Sequence, residues 1–223
     1  MDWTPIILSF QLAGLTSVLL LVIGIPIAYL LAYSSFKGKI LLEALLGMPL
    51  VLPPTVLGFY FLLFFSTEGG FGKWMHDVFG LNLIFSFEGL LIASVIYSLP
   101  FMVQPLQAGF SSVDTKLIEA AESLGKGRWE ILWRVLLPLI KPSLLSGWVL
   151  SFAHTIGEFG VVLMMGGSIP GRTKVASIAV YEEVEKLNYE AAHEYSFILF
   201  ALCFVLLLIL YGTNRSTLNP FHK

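Results

Sequence analysis

The sequence is poor in charge. Only 13% of its 223 residues are Asp, Glu, Lys or Arg, where a water-soluble domain carries about a quarter. With 57% hydrophobic residues and a mean hydropathy of +0.83, this shortage excludes an ordinary aqueous domain and places the chain in a lipid bilayer. Basic residues are dispersed as well as few. The formal net charge is −2 and the pI is near 6.1, so the field that nucleic-acid binding requires is missing. Cys203 is the only cysteine and lies in an apolar run, which rules out an intrachain disulfide and a cysteine metal cluster. The opening MDWTPIILSF has no positively charged n-region and no small-residue cleavage site, so the first apolar run is expected to remain as structure. A phosphate loop is also missing. GGFGKW (69–74) has glycines and a lysine but not the G-x-x-x-x-G-K-[ST] spacing, so any ATP-driven work falls to a separate subunit.

What the sequence does have is long apolar runs. Five can be counted, at about residues 6–33, 41–65, 89–106, 144–165 and 195–211, each of the length a helix needs to cross the hydrocarbon core. The fold class read from them is all-α, a polytopic helical membrane protein forming one transmembrane domain over 1–223, without an internal repeat. An odd number of spans puts the two ends on opposite sides. Placing the C-terminus in the cytoplasm puts nine of the thirteen Lys and Arg inside: Lys37, Lys39, Lys116, Lys126, Arg128, Arg134, Lys141, Arg215 and Lys223. Lys73, Arg172, Lys174 and Lys186 then lie outside in acidic loops, so the positive-inside rule sets the N-terminus outside in a multi-pass protein of the cell inner membrane.

The second span carries Pro49, Pro53 and Pro54 in GMPLVLPPTVLGFY. Each removes a backbone donor from the middle of a helix. A bilayer tolerates this only where protein or a water-filled cavity satisfies the freed carbonyls, and such broken helices often line transport pathways. A kinked but purely structural helix is the alternative. Pro26, Pro100 and Pro105 raise the same question more weakly.

Between the third and fourth spans lies a charged cytoplasmic segment, about residues 111–142. Asp114 is placed to cap a helix starting at Thr115, and Gly125 stands where a left-handed C-terminal cap belongs. Leu117, Ala120, Ala121 and Leu124 recur at helical spacing, so the short helix is amphipathic. A second amphipathic stretch, RWEILWRVLL, is expected to stop at Pro138, and Pro142 falls at the start of the fourth span. The outcome is a rigid elbow. An interfacial helix lying on lipid would want more Lys and Arg beside its apolar face.

Glu119-Ala120-Ala121, Gly125 four residues on, a β-branched residue at Val135 and Leu137-Pro138 together resemble the EAA signature of permease subunits of ABC importers. Isoleucine is more usual at the place of Val135. PLVLPPTVLGFY, GEFG (157–160) and SIPGRT (168–173) resemble the corresponding stretches of molybdate permeases, a subfamily whose five-span size agrees. Tungstate and sulfate permeases share much of the pattern. The resemblance implies a homodimeric permease, two cytoplasmic ATPase subunits that bind MgATP, and an extracytoplasmic oxyanion-binding protein. It also implies that the cytoplasmic helix docks into an ATPase groove, with Glu119 meeting a polar or basic group, Ala120, Ala121 and Leu124 packing, and Gly125, Leu137 and Pro138 shaping the elbow. No catalytic residue and no cofactor are expected in this chain.

On that reading an oxyanion needs solvation without tight retention. No Lys or Arg lies deep in a span, which fits a passage of weak dipoles near Pro53, Pro54, Thr55, Gly58, Gly157 and Gly160, because a desolvated ion pair would trap the anion. Glu158 is the ionisable group placed within a span. Structural hydrogen bonding or support of a gate, contact with the binding protein, and direct contact with substrate are all open to it. His154 and Glu158 stand at i and i+4 but lack a third metal ligand, so no metal is expected. Two rival functions use the same region. An intramembrane hydrolase would employ Ser151, His154 and Glu158, without a visible oxyanion hole, and a proton-coupled transporter would employ Glu158 alone. Neither needs the elbow. The acidic stretch YEEVEKLNYEAAHE (181–194) reads either as a helix meeting the binding protein or as a solvated face.

Overall fold

A computed structural model of the chain describes residues 2–218, with side chains described up to residue 212. Lys223 and the side chain of Arg215, both counted in the charge bias, lie outside the described residues. Helices account for the architecture, and no strand occurs among the described residues. In chain order they are α1 (Thr4–Tyr33), α2 (Lys39–Val51), α3 (Pro54–Phe65), α4 (Gly70–Phe79), α5 (Phe87–Ser111), α6 (Thr115–Ser123), α7 (Arg128–Ile131), a π-helical turn (Leu132–Leu136), α8 (Leu137–Leu139), α9 (Lys141–Gly157), α10 (Gly160–Gly166), α11 (Ala176–Glu185) and α12 (Tyr189–Leu218).

Two apolar clusters fix the directions. One holds the C-terminal halves of α1 and α5, through Leu20, Ala28, Leu31, Met102, Leu106 and Phe110, together with Ala121 of α6 and Leu137 of α8. The other holds their N-terminal halves, through Leu8, Leu12, Leu90 and Ala93, together with Phe65 of α3 and Val161 of α10. Thus α1 and α5 run parallel. The α2–α3 pair returns between them, α9 runs back against α5, and α12 starts beside the chain's beginning, where the Tyr195 hydroxyl donates to the Asp2 carbonyl at 2.7 Å. Helices α1, α5 and α12 are each long and apolar enough to cross a membrane, and the number rises to five if each of two bent pairs is one span. Large apolar side chains such as Val22, Val51 and Phe200 cover the outside, as lipid contact requires.

The breaks have local causes. Leu52 and Pro53 each precede a proline, and both are extended, with ψ of 139° and 135°, because the following ring excludes helical ψ. This bends the α2–α3 pair by 115°. Pro138 does not stop its helix, contrary to expectation: it sits in the first turn of α8, and the chain turns instead at Ile140. Its missing N–H would have bonded the Arg134 carbonyl, and the widened turn just before it, where the Leu137 N–H reaches Leu132, relieves that loss. The stretch 144–165, expected as one span, is likewise broken. α9 ends at Gly157, Glu158 is extended at φ −60° and ψ 130°, and α10 begins at Gly160. No proline does this; side-chain hydrogen bonds at Glu158 do, as described below.

Helices α5 and α9 cross closely at Gly147. A Cβ there would lie 3.0 Å from Met102 Sδ and 3.2 Å from the Met102 carbonyl oxygen. Replacing Gly147 by Leu is therefore expected to cost about 1–3 kcal/mol through overpacking, read as a lower melting midpoint of the detergent-solubilised protein. Gly14→Leu is expected to leave the midpoint nearly unchanged, because beyond its chain neighbours and its own helix backbone no atom lies within 4 Å of the added Cβ.

Candidate functional site

At the end of the bundle where α1 and α5 finish, α6 forms a small external shelf. The Asp114 carboxylate accepts from the Lys116 N–H at 3.0 Å and caps the helix. Its other end closes as a Schellman turn: Gly125 has φ +76°, its N–H reaches the Glu122 carbonyl at 2.9 Å, and the Lys126 N–H reaches the Ala121 carbonyl at 3.1 Å. The sequence-predicted residues then divide. Ala121, only 8% exposed, and Leu137 point into the apolar cluster under the shelf. Leu117, Ala120 and Leu124 share one face at i, i+3 and i+7 and are exposed, Leu124 at 78%. Glu119 is exposed beside them without an ion-pair partner among the described residues, whereas Glu130 is held by Lys126 at 2.8 Å and Arg134 at 3.1 Å. Pro138 is exposed at the far edge.

In the other half of the bundle, the α2–α3 break and the α9–α10 break border one recess of about 470 Å³. Pro54, Thr55, Gly157, Glu158 and Gly160 all line it, with Tyr97, Ala153, His154 and Phe159. No Lys or Arg does. Gly58 lies elsewhere, buried where a Cβ would come 2.7 Å from Met164 Cβ, so it serves the α3–α10 crossing. Gly160 serves the same crossing, since its Cβ would lie 2.8 Å from Pro54 Cβ. Pro53 is exposed at the bend.

Glu158 is 3% exposed, and its side chain is fully covered; only its backbone faces the recess. Ser94 Oγ donates to Oε2 at 2.6 Å and Ser98 Oγ to Oε1 at 2.7 Å. His154 Nδ1 lies 3.4 Å from Oε1 and 2.9 Å from Ser98 Oγ, which Thr155 Oγ1 also meets at 2.9 Å. Ser177 Oγ of α11 donates to the Glu158 carbonyl at 2.5 Å. A carboxylate this deep is tolerable because each oxygen has a donor. The same bonds tie α5, α9 and α11 to the one residue where the helix breaks. Sequence reasoning found Glu158 and His154 but missed Ser94, Ser98, Thr155 and Ser177. A signal existed for the first two, which are a polar pair at i and i+4 within an apolar helix.

At the end of the bundle away from α6, the loop Ser168–Thr173 and α11 carry an ion cluster. Glu182 is bonded by Lys174 and Ser168, and Glu183 by Lys186 at 2.7 Å and Asn188 at 2.8 Å. Burial pushes the Glu182 carboxyl up, but Lys174, Ser168 and Lys186 outweigh it and hold it below the ordinary value. The Lys186 and Asn188 hydrogen bonds lower Glu183 too. No group of three or more His, Cys, Asp or Glu able to hold a metal occurs among the described residues.

Residues 24–217 match the family described as the binding-protein-dependent transport system inner membrane component, and the chain belongs to that family. It is therefore a multi-pass inner-membrane permease subunit, a transport component and not an enzyme, within an ABC system that includes ATPase and binding-protein partners. The chain is 43% identical to the molybdenum transport system permease protein ModB of Azotobacter vinelandii over 96% of its own length and 95% of that protein's. It is 36% identical to ModB of Escherichia coli K12 over 93% and 91%, and 33% identical to the sulfate transport system permease protein CysT of the same organism over 83% and 67%. The fold is that of a chain in the crystal structure of a bacterial alginate ABC transporter bound to its periplasmic protein, at a TM-score of 0.77, 18% identity and coverage of 96% and 78%. A chain of the MetNI methionine ABC transporter in an inward-facing conformation gives 0.67 at 16% identity, with coverage of 96% and 93%.

The ion cluster has a pH consequence. Carboxyls lowered in the folded protein stabilise it above their unfolded values and lose that contribution as pH falls through the folded values. Hydrogen-exchange protection of α11 is therefore expected to fall on acidification through the carboxylate range. It should be flat there in Glu182→Gln/Glu183→Gln.

Proposed function

We propose that two copies of this chain form the translocation unit of a molybdate importer. The observation that carries the reading is the 43% identity to ModB along nearly the full length of both chains. The sulfate permease relative at 33% makes sulfate the second reading, with tungstate grouped chemically beside molybdate. An extracytoplasmic binding protein delivers the oxyanion to the end that carries α11, and the N-terminus lies on that side. Two ATPase subunits, which bind the MgATP, dock on the α6 shelf from the cytoplasm.

Leu117, Ala120 and Leu124 are the groove-filling face, Glu119 supplies a charge-assisted hydrogen bond, and the Gly125 turn fixes the angle of the shelf. Ala121 and Leu137 act from below. They seat the shelf on the cluster shared by α1 and α5, so that displacement of α6 moves those helices as a body. Closure of the ATPase dimer on ATP draws the two shelves together and rocks the two permeases between inward-open and outward-open states. Substrate passes the recess formed by Pro54, Thr55, Gly157, Glu158 and Gly160. Neutral dipoles there solvate a dianion without holding it, which suits a system whose affinity resides in the binding protein. Glu158 keeps the helix break in shape instead of binding the anion.

In proteoliposomes containing the permease, its ATPase and its binding protein, molybdate-loaded binding protein is expected to stimulate ATP hydrolysis and uptake more than sulfate-loaded protein does. Leu124→Glu is expected to weaken ATPase docking on the order of tenfold or more while the isolated permease melts as the wild type does. Gly125→Asp, which forces a side chain onto positive φ, is expected to uncouple hydrolysis from uptake. Wild-type uptake by both variants would remove the shelf from the mechanism.

A further inference from the structure

The recess holds one side chain for which the mechanism above finds no use. Phe101 stacks on the His154 ring at 4.0 Å and Tyr97 tilts against it at 4.7 Å. Nδ1 faces inward to Ser98 and Glu158, at 2.9 and 3.4 Å. Nε2 makes no hydrogen bond among the described residues. Among the described residues the buried side-chain polar atoms without a partner are Thr16 Oγ1 and Ser151 Oγ, so Nε2 is not sealed in, and His154 is one of the residues that line the recess. A ring clamped on its faces and anchored at one nitrogen has little freedom left to move the other. Nε2 is a preorganised polar point in a passage whose lining contains no Lys or Arg.

We propose that His154 Nε2–H is the hydrogen-bond donor a tetrahedral oxyanion meets on its way through this recess, available only while the His154–Glu158 pair holds one dissociable proton. This rests on the oxyanion reading given above. The condition follows from counting hydrogens. Ser98 has a single hydroxyl hydrogen and three polar neighbours: Glu158 Oε1 at 2.7 Å, His154 Nδ1 at 2.9 Å and Thr155 Oγ1 at 2.9 Å. If Glu158 is ionised, Ser98 donates to it and Nδ1–H donates to Ser98; the ring then carries a second proton on Nε2 only as imidazolium. If the proton sits on Glu158, the carboxyl donates to Ser98, Ser98 donates to Nδ1, and a neutral ring carries its hydrogen on Nε2. These are two placements of the same proton, and both present Nε2–H to the recess from a pair of zero net charge. Removing that proton leaves a carboxylate and a neutral ring protonated at Nδ1. The recess then meets a lone pair backed by a negative charge, and both repel a dianion.

The groups facing the imidazole support this restriction. Tyr97 and Phe101 from α5 and Thr155 and Glu158 from the α9 end surround it, while α3 and α10 bring Pro54, Thr55 and Gly160 to the recess. Glu158 and Tyr97 are the titratable groups among them. The carboxylate stands behind the ring, and its side chain is fully covered, so the anion meets the imidazole edge and not the carboxylate.

Two isosteric replacements separate this role from a structural one. Gln places its amide nitrogen near the Nε2 position, and Asn places its amide near Nδ1. Uptake per ATP hydrolysed is measured in the reconstituted complex for wild type, His154→Gln and His154→Asn, with whichever of molybdate, tungstate or sulfate the wild type carries. Assembly is confirmed by ATP hydrolysis stimulated by loaded binding protein. His154→Gln is expected to retain most uptake, because its amide N–H stands in for Nε2–H. His154→Asn is expected to lose about tenfold, the effect of one hydrogen bond to a charged group. Equal losses in the two variants, or better uptake by His154→Asn, would overturn the proposal and leave His154 a member of the Glu158 network only. If wild type carries sulfate and not molybdate, the substrate assignment fails while this comparison still decides the role of His154.

Discussion

The structure depends on one constraint: a helix broken inside hydrocarbon must find partners for the backbone groups it releases. Among the described residues, the breaks at Leu52–Pro53 and at Glu158–Phe159 border the same recess. The first is made by prolines. The second is held by a polar network in which Ser94, Ser98, His154 and Thr155 gather around the Glu158 side chain while Ser177 takes its carbonyl. Irregular backbone is tolerated in hydrocarbon only where such partners are supplied, and these two devices supply them. The glycines at 58 and 160 then let α3 and α10 close over it.

The distance between the recess and the α6 shelf is spanned by rigid helix and not by loop. Ala121 and Leu137 sit in the cluster that joins the ends of α1 and α5, and the Tyr33 hydroxyl donates to the Phe110 carbonyl at 2.8 Å across the same ends. α5 carries the connection onward to Ser94 and Ser98. The shelf is thus joined to the Glu158 network through a single packed helix. The π turn before Pro138, in which the Leu137 N–H reaches the Leu132 carbonyl, leads the second amphipathic stretch into α9.

Much of this was legible in the sequence, because its signals are local. The Asp114 cap, the positive φ at Gly125 and the bend at Pro53-Pro54 follow from the conformational limits of single residues, and the structure has each of them. The misplaced features are those set by tertiary contact. Pro138 was expected to end a helix, yet a widened turn upstream absorbs the missing donor. The stretch 144–165 reads as one span, and its break is held by hydroxyls on α5 and α11 remote in sequence. Ala121 was grouped with Ala120 by helical spacing, but which side of a small amphipathic helix meets its own chain depends on Ile131 and Leu137 beneath it. Gly58 read as lining a passage and proves to be a close-packing position, a distinction that only the neighbour Met164 decides.

The Glu158 carboxylate and the α5 serines satisfy one another and so hold the break. The direct measurement is a double-mutant cycle of Ser94→Ala and Glu158→Leu, read from melting midpoints of the purified permease. Glu158→Leu alone strands a buried hydroxyl, so its shift should be partly reversed when Ser94→Ala is added. Shifts that simply add would contradict the claim, because they would mean that serine and carboxylate contribute independently and that the helix break is held by something else.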